Sequence, residues 1–413
     1  MPPLSGRGLS PLRHRDFALL FSGTLVSHTG DLLQSMAQSW LVFTLTHSAL
    51  KLGLLGFCQL VPRLVLGTLG GVIVDRVDRR RLLITTQTIA MLQSIAMFVL
   101  VAMGTITYGQ IVVLTIVLGV VDTLHLTARH ALIPALVPPE ELQAGVALNA
   151  AGMNVTQVIG PSIGGALLGL CGVAGCLLIN AISFVGILAA LMAMRWRPPS
   201  SAAHTGSLFG ELVEGLRHVG ARERLWVPVA MAYAIAALAM AYSRLTPVFA
   251  SDVLHAGVRA YGAMLAAPGV GAVIASLAVA QRGFGGMRRL NASVLALVGG
   301  LCAFALSTNL MVSLLALSVV GGAQMVFRTT AIASCHRATD DAHRGRVMSI
   351  FLLDYGLWSF GTLWLGWLSD ARGPAFAVLV GALSCLLVTS AIAYAAHRLR
   401  AARATERIGA SSR

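Results

Sequence analysis

The sequence predicts an all-α membrane protein with twelve transmembrane helices in two six-helix halves and both termini in the cytoplasm. Three observations carry this prediction: composition, the length of the apolar segments, and the distribution of arginine. Of 413 residues, 56% are hydrophobic and 11% charged, against roughly a quarter charged in an ordinary soluble domain. So few charges cannot cover a surface that faces water.

A bilayer core of about 30 Å needs about 20 apolar helical residues to cross it. Segments near 17–43, 52–74, 82–104, 108–128, 146–170, 173–195, 226–250, 261–281, 289–308, 310–334, 347–369 and 374–397 meet that length. They must be helices, because lipid offers no partner to backbone N–H and C=O groups, and they are too long and too uniformly apolar for barrel strands. The loops of one face hold Lys51, Arg259 and Arg372, whereas every other arginine outside the spans falls at the termini or in the alternate loops. Positive charge marks the cytoplasmic side. The net charge of +14 is therefore topology rather than a nucleic-acid surface, which would gather its cations on a soluble face.

Each part of the chain is then read in order. Residues 1–16 form a cytoplasmic N-terminus whose following apolar segment exceeds signal-peptide length and lacks a small-residue cleavage site, so it is a first, uncleaved span. Residues 17–195 make the N-terminal six-helix bundle. Residues 196–225 form a cytoplasmic connector that opens with "RPPSS" and carries Phe209, Leu212, Leu216 and Val219 at helical spacing, an amphipathic helix for the inner leaflet. Residues 226–397 make the C-terminal bundle, and 398–413 a basic cytoplasmic tail. "PEELQAGVALN" and "TDDAHRGRVMS" align at an offset of 200, a trace of internal repetition such as many secondary transporters show. The six cysteines, Cys58, Cys171, Cys176, Cys302, Cys335 and Cys385, show no CxxC and no ligand-spaced histidine. They read as buried thiols, with a Cys171/Cys176 disulfide at a loop as the alternative, and no metal site is expected.

Two motifs carry a family resemblance. Gly71-x-x-x-Asp75-Arg76-x-x-Arg79-Arg80-Arg81 stands between the second and third spans, and Gly160-Pro161-Ser162-Ile163-Gly164-Gly165 lies in the fifth. Together with "FALLFSGTLVSHTGD" near the start and "RGRVMS" before the eleventh span, they resemble the major facilitator superfamily. The branch they most resemble holds enterobactin-type siderophore exporters and macrolide efflux proteins. The resemblance implies the major facilitator fold, and for the Gly-Pro motif it implies antiporters. The sequence departs from the family pattern in three places: Asp78 stands where a glycine is usual, "QRGFGGMRRL" lacks the acidic residue of the loop motif, and the fourth span, ended at residue 128, lacks the intramembrane arginine of many antiporters.

Asp75 at a helix C-terminus sits in an unfavourable field for an anion and needs a cationic partner or a neighbouring helix N-terminus. With Gly71, Arg76 and Arg79 it reads as a conformational gate, a clasp made in one state and broken in the other. Arg80 and Arg81 read as topology anchors. Gly160, Gly164 and Gly165 allow close helix approach, and Pro161 adds a kink.

Six charged residues lie within the spans: Asp31, Arg63, Asp122, Arg244, Arg328 and Asp354. Each costs about 2.5–3.5 kcal/mol at mid-helix, so each faces a partner or a cavity and is a candidate for the substrate or proton pathway. Asp31 shares a face with Ser27, Gln34, Ser35 and Gln38, a cavity wall in character. Arg63 suits the same central site, and Arg244 stands close enough to the outer face to snorkel. Asp122, with His125 a turn on, Arg328 and Asp354 read equally as proton relay or structural ion pair. Met36, Trp40, Tyr233, Tyr242, Phe327, Tyr355 and Trp358 are the adaptable side chains suited to an amphipathic substrate, and lipid-facing placement is their alternative.

No P-loop, GxSxG or HExxH is present, so the chain is expected to be no enzyme, to need no cofactor, and to draw its energy from an ion gradient. One charge crossing 100 mV is worth about 2.3 kcal/mol. The expected function is export of a siderophore or drug-like molecule across the bacterial inner membrane by proton antiport and alternating access, as a monomer. An importer or facilitator of the same fold and a transport-inactive receptor are the alternatives. The partners are a small-molecule substrate, protons and the lipid bilayer, with no nucleic acid.

Overall fold

The computed structural model describes residues 9–195, 217, 220, 222–282, 286–339, 347, 350, 351 and 353–411. Within these, the side chains of residues 63–65, 67–76, 280–282, 355 and 399–411, among others, lie outside the description. The described residues are helical, with connecting turns and no strand.

Helix α1 (Arg15–Thr46) ends where His47 takes a left-handed conformation, φ 46°. Ser48 then opens α2 (Ala49–Arg76) by accepting from the Lys51 N–H at 3.2 Å. After extended Val77, Asp78 starts α3 (Arg79–Ala102), its carboxylate accepting from the N–H groups of Arg80 and Arg81 at 2.9 and 3.2 Å. The aspartate in place of the usual glycine is thus a helix N-cap, a position where a side-chain oxygen takes up an otherwise orphaned N–H. A capping box of Thr107 and Gln110 opens α4 (Tyr108–Leu132). Helix α5 (Leu142–Ala193) contains two arms joined at Gly172, whose φ of 66° only glycine adopts without strain. The backbone remains helical through Pro161.

Helix α6 (Glu223–Ala234) does not continue as one regular span. A π turn (Ile235–Ala239), a 3-10 turn (Met240–Arg244), one α turn (Thr246–Val248) and a second π turn (Phe249–Val253) follow. Then come α7 (Val258–Arg282), α8 (Met287–Leu306), α9 (Leu310–Ala338), α10 (Asp354–Arg372) and α11 (Pro374–Ser411). Among the described residues, eight helical stretches are long and apolar enough to cross a membrane. The amphipathic stretch of the connector and "DDAHRGR" lie outside the described residues.

The chain divides into two compact units, the first holding α1 to α5 with Ala250–Gly269, the second holding the remainder. In the first, α1 lies against both arms of α5. Gly23 and Gly30 of α1 face Ile187 and Ser183 of the second arm, while Gly160 and Gly164 of the first arm receive Leu32 and Met36. A Cβ at Gly165 would collide with the backbone of Gly262 in α7, so two helix backbones meet there directly. Phe17, Leu83, Leu132, Phe184 and Leu191 belong to the buried apolar cluster of this unit. At its edge the Arg80 guanidinium donates to the carbonyls of Leu191 and Met192 at 2.9 and 2.8 Å. Arg80, expected as a topology anchor, also closes the C-terminal end of α5, where unpaired carbonyls favour a cation.

In the second unit the irregular stretch after α6 leaves carbonyls to be satisfied from outside. Trp358 and Trp364 of α10 supply the donors, through Nε1 to Met240 O at 3.2 Å and to Ala237 O at 3.1 Å. Gly361 makes the approach possible, since a Cβ there would collide with the Ala237 carbonyl.

Candidate functional site

The first unit holds a chain of buried polar side chains centred on α1. Asp31, Gln34 and Gln38 recur at i, i+3 and i+7 and so share one face. Asn180 of α5 donates to Asp31 Oδ1 at 3.5 Å and to Gln34 Oε1 at 2.8 Å. Gln34 donates onward to Gln93 Oε1 of α3 at 3.0 Å, and Gln38 to Thr115 Oγ1 of α4 at 2.5 Å. Ser27, Gln34 and Gln38, expected to line a cavity wall, are buried, and the two glutamines are spent on these inter-helix bonds. Asp31 and Ser35 keep partial exposure.

Helix α4 contributes Asp122, His125 and Arg129, again at i, i+3 and i+7. His125 is hydrogen-bonded to Gln87 Nε2 of α3. Asp31 interacts electrostatically with both Asp122 and Arg129, and Arg129 with both carboxylates. This corrects the sequence reading at Arg129, which stopped the fourth span at residue 128 and assigned the arginine to the flanking loop. The helix runs to Leu132, and Arg129 is 7% exposed, with Nη1 donating to Met153 Sδ at 3.7 Å and Nε buried without a hydrogen-bond partner. Helix α4 thus carries a buried arginine in its last turn. Its signal was available: Arg129 shares the face of Asp122, and no helix breaker occurs before Pro134.

In the second unit Arg328 of α9 pairs with Asp354 of α10, Nη1 to Oδ2 at 3.3 Å, and its guanidinium also lies over the Phe351 ring at 6.0 Å. Tyr233 stands within electrostatic reach of Asp354 and donates to Ile350 O at 2.5 Å. Arg244, expected to snorkel outward, is half-buried and lies over the Trp358 ring at 5.6 Å, in the broken stretch that Trp358 itself braces. Of the adaptable side chains, Met36, Tyr242 and Phe327 are buried, and Trp40 stacks on Tyr261 at 5.2 Å, whose hydroxyl donates to Met36 O at 3.2 Å. The surroundings of Gly71 and the side chains of Arg63, Asp75, Arg76 and Tyr355 lie outside the description, while Arg79 begins α3. No group of three or more metal-ligating side chains occurs among the described residues.

Among the described residues, buried and paired charges lie inside apolar helices long enough to cross a membrane, the character of a polytopic membrane protein. The chain belongs to the transmembrane secretion effector family of the major facilitator superfamily, whose model matches residues 6–412. The staphyloferrin A transporter of Staphylococcus aureus is 23% identical over 390 residues, covering 92% of this chain and 96% of that protein. The multidrug efflux pump Tap of Mycolicibacterium fortuitum is 25% identical over 213 residues, 49% of this chain and 51% of Tap. Among solved structures, a bacterial homologue of the human lysosomal transporter Spinster superposes with a TM-score of 0.74 at 14% identity, covering 93% of this chain and 97% of that one. A bacterial homologue of the iron transporter ferroportin gives 0.67 at 16% identity, covering 92% and 98%. The chain is a transporter of small molecules rather than an enzyme.

Proposed function

We propose that this protein exports a siderophore or drug-like molecule across the bacterial inner membrane in exchange for protons, by alternating access between two six-helix halves at residues 17–195 and 226–397. Both termini lie in the cytoplasm, as the arginine distribution argues. The protein works as a monomer. The substrate class follows from similarity to a staphyloferrin A transporter over nearly the whole chain and to a drug pump over half of it.

The observation that carries the coupling is the set of Asp31, Asp122 and Arg129 in the first unit. With both carboxylates ionised the set carries one net negative charge, and one proton makes it neutral. Charges in a membrane interior are expensive unless balanced, so a proton and a cationic substrate group at Asp31 exclude one another, which is the condition for antiport. Asn180 and Gln34 hold Asp31 in place without supplying charge. Asp75, Arg76 and Arg79 act as the clasp that distinguishes the two access states, a reading supported by the end of α2 at Arg76 and the start of α3 at Arg79, two residues of linker apart. Arg63, Arg244 and the Arg328–Asp354 pair border the pathway.

The test is Asp31→Asn in proteoliposomes loaded with staphyloferrin A or a drug panel. Efflux driven by a pH gradient falls at least tenfold while substrate counterflow persists. Gradient-driven efflux equal to that of the unaltered protein removes Asp31 from the coupling.

A further inference from the structure

At the break in α5 two thiols face one another. Five residues along an unbroken helix are rotated by about 140°, on opposite sides of the axis, yet Cys171 and Cys176 lie within side-chain interaction range of one another across the turn at Gly172. Cys171 is exposed and its Sγ also donates to Leu167 O at 3.0 Å; Cys176 is fully buried, and both are free thiols. Gly175 makes room for this approach, because a Cβ there would lie 2.5 Å from Cys171 Cβ and 2.7 Å from its Sγ. The turn lies just beyond Gly165 and Gly169, which meet Gly262 and Arg259 of α7.

We propose that Cys171 and Cys176 are oxidised to an intramolecular disulfide that staples the outer turn between the two arms of α5. The proposal rests on the sidedness given above, which places this turn on the face away from the arginines and thus in an oxidising compartment. The oxidant is a dithiol–disulfide oxidoreductase of that compartment. The exposed Cys171 thiolate attacks one sulfur of the oxidant's disulfide, giving a mixed disulfide and releasing a thiolate. The Cys176 thiolate then attacks Cys171 Sγ and expels the second sulfur. Two thiol protons are lost, two electrons pass to the oxidant, and it leaves as the dithiol. The staple fixes the last turn of the first arm, where that arm carries its glycine contacts with α7.

The test uses the full-length protein denatured and alkylated with iodoacetamide, with and without prior reduction, followed by mass spectrometry of the chymotryptic peptide spanning both cysteines. The staple predicts a peptide lacking two hydrogens and unalkylated until reduced, when it takes two alkyl groups. Two alkyl groups without reduction overturn it. Sidedness is read separately with Cys176→Ser and a membrane-impermeant maleimide on intact cells, the modified residue being located by peptide mapping. Labelling of Cys171 in intact cells together with a dialkylated unaltered protein overturns the staple and leaves the sidedness standing. Labelling only after permeabilisation overturns both.

Discussion

Single residues decide how charge is tolerated inside these helices. Asp354 and Arg328 are both mostly buried and within 3.3 Å, so each balances the other. Removing one partner of such a pair strands a buried charge, which costs about 3–5 kcal/mol, whereas neutralising both is far milder. Asp354→Ala should therefore lower the thermal midpoint in detergent markedly, and Arg328→Gln with Asp354→Asn should recover most of the loss; equal destabilisation by both variants would show the pair to be incidental. The sequence identified both residues as charged and intramembrane but not as partners, because pairing depends on how α9 and α10 are placed. Arg129 was legible only in part. Its helical register with Asp122 was available, yet an arginine at the end of an apolar run looks like a topological marker until the helix is seen to continue around it.

At the scale of helices, apolar length pointed to membrane-crossing segments, eight of which are long and apolar enough among the described residues. The caps at Asp78 and Thr107 went unread, because a lone Asp or Thr beside a span also fits a loop. What hydropathy could not show was the irregular stretch from Ile235 to Val253, which reads as one plain apolar span. Its π and 3-10 turns depend on donors and clearance supplied from α10, more than a hundred residues away. Trp364→Phe removes the donor to the Ala237 carbonyl and should cost about 1 kcal/mol. Gly361→Leu should cost more than Trp364→Phe in the same detergent melt, since its side chain must displace the Ala237 backbone. If Trp364→Phe leaves the midpoint unchanged, the indole is not what holds the stretch. Arg80 teaches the same lesson: Arg80→Ala releases the carbonyls of Leu191 and Met192 and should cost about 1.5–3 kcal/mol, the range for hydrogen bonds to a charged group. An unaltered melt would show that these hydrogen bonds do not hold the end of α5.

For the whole molecule, composition and arginine placement made the class of protein legible, because a bilayer leaves few other structures open to such a sequence. His47 after α1 and His255 after the broken stretch both take φ 46°, a local feature that hydropathy does not show. Substrate choice was not legible, since it depends on the shape and chemistry of a pathway that no local motif encodes. Export by proton exchange is the central claim, and everted membrane vesicles test it most directly. With an inwardly acidic pH gradient, vesicles containing the protein should accumulate staphyloferrin A or a member of the drug panel above vector controls. A protonophore should abolish the accumulation, and Asp31→Asn should not support it. Accumulation that survives the protonophore, or uptake by Asp31→Asn equal to that of the unaltered protein, would contradict proton-driven export through this site.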